Sequence, residues 1–312
     1  MPSVFINPKI DYAFKMIFGQ EAHTPLLISF LNAMLYDGKP VIASATIINP
    51  YLPRTVKTLK DTYVDVQAVL ADGSIVLIEM QTSHTRAFFK RVLYNTAKRY
   101  SEHLPQGAPY TDLVSVVSLI VADFVYHEDH PRPLSTFKLQ ETEHHFLYPA
   151  AEDFQIAIVE LPKFDKALNT VDTLADKWLF FMQNAKELEE VPPMLQKTKE
   201  ISTAFDVARR INFDALELAE IDRRERDAAT ALRELELTFE EGVVVGREEG
   251  MSIGREEGMS IGREESRQQK EDMVRQMLRL QIPLAQIAQI AQLSITDIQQ
   301  IARNQPNGRD DS

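Results

Sequence analysis

Cysteine is absent from the 312 residues, which excludes disulfides, thiolate metal sites and a cysteine nucleophile. Long apolar runs are missing as well. No stretch approaches the ~20 apolar residues of a membrane span, and the N-terminal MPSVFINPKI lacks the apolar run of a signal peptide. The expected compartment is therefore the cytoplasm, with no membrane partner. No GxxxxGK[ST] or GxGxxG follows a strand-like segment, so a nucleotide-phosphate cradle is not expected. The seven histidines are scattered, and neither HEDH at 127–130 nor HH at 144–145 has a standard metal-ligand pattern. They read as polar loop residues.

What is present is ordinary in bulk and uneven in detail. A hydrophobic content of 44% with 26% charged residues suits a globular protein with one large domain plus extensions, or two small domains. The net charge of −12 argues at first against a polyanionic partner. Residues 1–105, however, hold 11 Lys and Arg against 8 Asp and Glu, so the excess of acid belongs to the remainder. A mildly basic N-terminal part is compatible with nucleic acid, because binding follows local patches rather than the total. A charged helical tail explains the same gradient.

KIDYAFKMIFG and TPLLISFLNAMLYDG carry apolar residues at helical spacing, with Asp37-Gly38 ending the run. VIASATIINPYL is β-like and broken by Pro50 and Pro53. DTYVDVQAVLADGSIVLIEMQ then reads as a β-hairpin, since Asp-Gly between β-branched runs is a strong turn signal. A helix from about Arg86 and buried strands at LVSVVSLIVADF and FQIAIVEL follow. This order predicts an α/β core over 1–165, built as helix, three-strand antiparallel meander, helix and strand. A helical annex over 166–240, containing the lone Trp178, completes the non-repetitive part.

GREEGMSIGREEGMSIGREE repeats every eight residues, and its glycines, Gly242 to Gly262, recur every four. Glycine at that spacing drifts only ~40° per step on a helix. The segment 241–270 is thus either a flexible linker, since each glycine costs a helix ~1 kcal/mol, or a helix whose small-residue stripe lets a second copy approach. In 271–312, Pro283 suits a first helical turn, and Ser294 with Asp297 forms a capping-box-like start. The pair is helix-turn-helix-like, although glycine would be usual where Gln292 stands and Arg303 is the one cation of the second helix.

Asp65 and Glu79 raise the functional question. With a three-residue ADG loop the hairpin places them opposite each other, and Gln81 shares the face of Glu79; a two-residue loop puts the two acids on opposite faces instead. Facing carboxylates repel unless a cation or water lies between them. Two oxygen ligands with room for water and phosphate are what Mg²⁺ accepts, while an exposed sheet face with scattered acids needs no metal. On a helix from Arg86, Arg91, Tyr94 and Lys98 fall within roughly 60° of one another, a basic face able to meet phosphate or solvent. Asp11 and Lys15 are spaced i, i+4 on the first helix.

Asp65, a short hairpin and Glu79-Met80-Gln81 resemble the D…(D/E)xK site of the PD-(D/E)XK nucleases. More closely, DYAFKMIFG, DVQ, IEMQ, FFKRVLYNTAKRYSEHL and the glycine-punctuated tail resemble the recombination-promoting nuclease family within that group. The resemblance implies a restriction-endonuclease-like core and cleavage of DNA with Mg²⁺, or Mn²⁺ or Ca²⁺ in its place. It implies Asp65, Glu79 and the Met80 carbonyl as metal ligands, with Gln81 as the third catalytic position. Arg91, Tyr94, Lys98, Lys15 and Asp11 become candidates for contact with the substrate. Gln81 departs from the lysine of the broad superfamily: it can orient a water but supplies no positive charge. The rival expectations are a non-catalytic DNA-binding protein that keeps the fold, and an oligomerising scaffold built on the repeat.

Overall fold

Seven consecutive residues, Val116–Ala122, are buried, and a strand with no polar face needs cover on both sides. The computed structural model, which describes residues 3–52, 62–83, 85 and 87–303, places that strand in the interior of a mixed sheet. In chain order the helices and strands are α1 (Asp11–Phe18), α2 (Thr24–Leu35), β1 (Ala45–Ile48), β2 (Tyr51–Leu52), β3 (Thr62–Tyr63), β4 (Val66–Leu70), β5 (Ile75–Gln81) and α3 (Phe88–Glu102). There follow β6 (Val116–Ala122), β7 (Leu134–Phe137), β8 (Phe154–Glu160), α4 (Leu174–Asn184), α5 (Pro193–Gln196), α6 (Lys199–Val207), α7 (Ala215–Arg279), α8 (Leu284–Ala291) and α9 (Ile295–Arg303). Pro53 and Arg86, read from sequence as a strand breaker and a helix start, lie outside the described residues.

The six-stranded sheet has the order β1-β4-β5-β6-β8-β7. Its central strands β5, β6 and β8 are parallel, and the outer pairings are antiparallel. The α/β class is as expected, but the chain between β1 and β4 does not make the single turn of a plain meander. It forms a separate two-stranded sheet, β2 with β3. Edge strand β7 comes from a polar segment with no alternation to announce it.

The hairpin follows the three-residue loop. Gly73 takes the left-handed conformation (φ 87°) that closes Ala71-Asp72-Gly73, and Leu70 N–H reaches Ser74 O at 2.8 Å. Val69 then pairs with Ile75 and Val66 with Ile78. The ladder stops there, one residue short of Asp65. Val66 lies in the cluster of Val76 and Ile78, whereas Val64 joins Ile75 and Leu77 on the other face. Residues two apart in a strand share a face, so the chain slips by one at Asp65. The Asp65 N–H also donates to Ile78 O (3.1 Å), giving two residues opposite one, the geometry of a β-bulge.

Helices cover both faces. Phe14, Ile17, Phe18, Leu27, Phe30 and Leu31 from α1 and α2 pack with Trp178, Phe181 and Phe205 over Val76, Ile78, Met80, Leu119 and Val121. On the other face α3 lays Phe88 and Val92 against Ile120, Ala122 and Ile158. The helices after residue 165 share the core of α1 and α2, and the first compact unit runs to Leu232. The expected boundary at 165 thus passes through a single core. The octad repeat lies within α7, and beyond the adjoining residues and the helix's own backbone nothing among the described residues comes within 4 Å of where a side chain would begin on Gly242, Gly246, Gly250, Gly254, Gly258 or Gly262.

The second unit, Arg233–Ser312, has its own small core of Val274, Ile287, Ala291 and Ile298. Gln292 takes the left-handed conformation (φ 55°) that a glycine would adopt more easily. Ser294 Oγ accepts from Asp297 N–H at 3.1 Å, so the capping geometry is present. No helix among the described residues is long and apolar enough to cross a membrane.

Trp178 holds the first core together. Fully buried, it meets Phe18, Phe30 and Phe181 at centroid distances of 5.5, 5.6 and 5.8 Å and donates to Ser29 Oγ at 3.1 Å. Trp178→Ala is expected to destabilise the protein by about 3–5 kcal/mol, read as a fall in the denaturant midpoint. A loss below about 1 kcal/mol would show that the core closes without it.

Candidate active site

The bulge is what makes the site. With the ladder broken at Asp65, the Met80 N–H has no strand partner on that edge and donates to Asp65 Oδ2 at 2.7 Å. A strand residue's N–H and C=O point to the same edge, so the Met80 carbonyl opens toward Asp65 too. Asp65 and Glu79 are therefore not a ladder pair, yet both line an open cleft of ≈ 450 Å³ with Asp11, Lys15, Thr62, Tyr63, Met80, Gln81 and Arg91.

Each acid is met by a different helix. From α1, Lys15 Nζ lies 3.1 Å from Asp65 Oδ1 and 2.6 Å from Asp11 Oδ1. From α3, Arg91 Nη2 lies 3.5 Å from Glu79 Oε2 and donates to Gln81 Oε1 at 2.9 Å. Asn95, one turn further along α3, donates to Glu79 Oε1 at 3.1 Å. Gln81 is fixed at its other end by donation to Ser83 O (2.9 Å). Arg224, near the start of α7, reaches Asp11 Oδ2 at 2.5 Å.

Electrostatics follow from that crowding. Burial raises the Asp65 carboxyl, and the hydrogen bond and charge of Asp11 raise it further, to about 7, against the pull of Met80 N–H and Lys15. Burial also pushes Asp11 up, but its hydrogen bonds to Asp65 and Lys15 and the charges of Lys15 and Arg224 outweigh this and hold it low. Like charges at ~4 Å repel by about 4 kcal/mol at an effective dielectric of ~20, so the pair keeps one proton, on Asp65. Glu79 is raised by burial, partly offset by Arg91 and Asn95. Burial pulls Lys15 down, but Asp11 and Asp65 more than reverse that and keep it firmly cationic.

Of the residues expected from sequence, Asp11, Lys15, Asp65, Glu79, Met80, Gln81 and Arg91 converge here. Tyr94 and Lys98 do not line the cleft. Lys98 is buried, and the Tyr94 hydroxyl is buried with no partner among the described residues. Arg91, at the N-terminal end of that face, opens on the cleft, while Lys98, two turns further on, lies under the packing of α3 on the sheet. Sequence reading missed Asn95, although a polar residue one turn after Arg91 on a buried face is a visible signal. It missed Arg224 too, and 213 residues of separation from Asp11 left no local clue.

The shared proton has a measurable signature. The Asp65 pKa is about 7 in the fold against an ordinary 3.8, so the folded state holds an extra proton between those values. That stabilisation is complete below about pH 4 and is lost as the pH rises through about 7. The metal-free protein is expected to lose thermal stability from about pH 4 to about pH 7, and Asp65→Asn to flatten that part of the profile and raise the melting temperature at the upper end by a few degrees. Identical profiles for the two proteins would rule the shared proton out.

The donor set is oxygen only: two carboxylates and a strand carbonyl at one edge. Such hard ligands suit Mg²⁺, Mn²⁺ or Ca²⁺ rather than a soft metal. Lys15 and Arg91 already hold positive charge against the two acids, where a cation is wanted. A family model described as PD-(D/E)XK nuclease family transposase matches residues 8–234, a span that includes every residue of the cleft. No curated protein and no solved structure gives a significant match. The match spans most of the chain, and the chain belongs to the PD-(D/E)XK nuclease family transposases.

Proposed function

We propose that the protein is a Mg²⁺-dependent endonuclease that hydrolyses phosphodiester bonds in DNA, in the service of recombination or mobile-element activity. The observation that carries this reading is the convergence of two carboxylates, the part-buried Asp65 and the buried Glu79, on one open cleft, each drawing a cation from a different helix. A divalent ion held by Asp65, Glu79 and the Met80 carbonyl would lower the pKa of a bound water and polarise the phosphodiester.

The chain's own residues supply the rest. Gln81, anchored by Arg91 and Ser83, keeps lone-pair and N–H capacity to orient the attacking water. It cannot neutralise the charge that develops on phosphorus. Arg91 is half exposed and bound to Gln81, so its guanidinium provides that charge beside the position where the superfamily carries lysine. Lys15 is bonded to Asp65 from the other wall of the cleft and is placed to meet a non-bridging phosphate oxygen. Asn95 holds Glu79 in its rotamer, and Asp11 holds Lys15.

Exposed Val243, Val244, Val245, Met251, Ile253, Met259 and Ile261 accompany the glycines of α7, which supports self-association through 241–270. Light scattering of the full chain at micromolar concentration is expected to give at least twice the monomer mass, and a monomeric mass would remove this part of the proposal.

The central test is supercoiled-plasmid cleavage. Wild type is expected to nick with Mg²⁺ and not in a chelator, and Asp65→Ala and Glu79→Ala to lose about a hundredfold or more while keeping their circular dichroism. Arg91→Ala is expected to lower kcat by about 10²–10³-fold, and Gln81→Lys in that background to restore part of it. A folded wild type that leaves plasmid intact in Mg²⁺ and Mn²⁺ alike would overturn the nuclease reading in favour of a binding role.

A further inference from the structure

A second, smaller cleft of ≈ 170 Å³ adjoins the candidate site. Lys9, Ile10, Asp11, Met80, Thr82, Arg224, Asp227 and Ala228 line it, and Asp11 and Met80 line both. None of the basic residues in it was singled out by the sequence. Lys9 comes from the turn before α1, and Arg224 from a helix that begins more than a hundred residues after the catalytic hairpin.

The chemistry of this cleft is that of an anion seat. Arg224 uses Nη1 on Asp11 and Nε on Glu220, both at 2.5 Å. Its Nη2 hydrogens have no partner among the described residues, and its side chain is 40% exposed. Guanidinium donors in a fixed fork match phosphate oxygens. Lys9 is held by Asp123 at 2.9 Å and keeps donors to spare. The carboxylates nearby are already paired: Asp227 with Arg223 at 3.5 Å, and Asp11 with Lys15 and Arg224. A strand with its reacting phosphate over Asp65 and Glu79 must continue past the Met80 edge in one direction or the other, and on this side it meets two cations.

We propose that this adjoining cleft seats the phosphate next to the one that is cut, on the same strand, with Arg224 and Lys9 as its contacts. The inference rests on the nuclease reading and adds to it a backbone-positioning subsite outside the Asp65–Gln81 hairpin. It gives α7 a role at the substrate: the helix closes the core with Ile221 and turns Arg224 toward the strand. Contacts of this kind set register without reading sequence.

The test separates the subsite from the chemistry. Binding of a fluorescein-labelled DNA duplex is measured by anisotropy in EDTA over a range of salt, for wild type, Arg224→Gln, Arg224→Lys and Lys9→Gln. Arg224→Gln and Lys9→Gln are each expected to weaken binding about 5–30-fold on any sequence and to reduce the slope of log K against log salt by about 0.9. Arg224→Lys restores the slope, which a merely structural role for the arginine would not explain. After the cut position is mapped on the same duplex, single methylphosphonates are placed along the cut strand. Wild type is expected to lose affinity at the phosphate flanking the cut, and Arg224→Gln to be indifferent there. A wild type that binds and cleaves, with an Arg224→Gln variant unchanged in slope and equally sensitive to that methylphosphonate, would overturn the subsite and leave the nuclease reading standing. A wild type that neither binds nor cleaves would overturn both.

Discussion

Two acids largely withdrawn from water on the wall of one open cleft, with a third beside them, form an arrangement that the isolated hairpin could not sustain. The rest of the site exists to make it tolerable. The bulge at Asp65 frees the Met80 N–H to bond one carboxylate, and Lys15, Arg91 and Arg224 bring positive charge from three helices. A residual proton between Asp65 and Asp11 takes up the excess. Local stability is given up for function here: a hairpin meant only to fold would carry apolar residues at these positions.

The departure at Gln81 shows how such a site distributes its chemistry. A lysine on the strand would combine position and charge in one side chain. Here the amide keeps the position, and the charge arrives on Arg91, joined to it by a 2.9 Å hydrogen bond. Asn95 then steadies Glu79. The strand and α3 are thus tied together at both polar positions of the motif, Glu79 and Gln81.

Much of this was legible in the sequence. Asp-Gly in ADG announced the hairpin but left a two- and a three-residue loop open, and the structure has the three-residue register. The uniformly apolar β6 announced a buried strand. Asp11 and Lys15, spaced one turn apart, pointed the same way from α1. The slip at Asp65 was not legible, because strand patterning assumes strict alternation and the residues Val64 and Val66 are equally apolar on either face. Tyr94 and Lys98 misled for a related reason: helical spacing finds a shared face but not which way it looks. Arg224 depends on how α7 packs in the finished core, and no short-range pattern carries that. The boundary at residue 165 failed to mark a separate body because Trp178 and Phe205 belong to the same cluster as Phe14 and Phe30.

That the surroundings of the hairpin are completed from far along the chain also bears on timing during synthesis. The hairpin, α1 and α3 leave the ribosome well before Arg224, which follows Gln81 by 143 residues. At about 5–20 residues per second this gap lasts roughly 7–30 s. Throughout that interval the nascent chain carries both carboxylates but lacks Trp178, the later helices of the core and the arginine that ties Asp11 down. The surroundings of the hairpin are therefore incomplete until more than two thirds of the chain has been made.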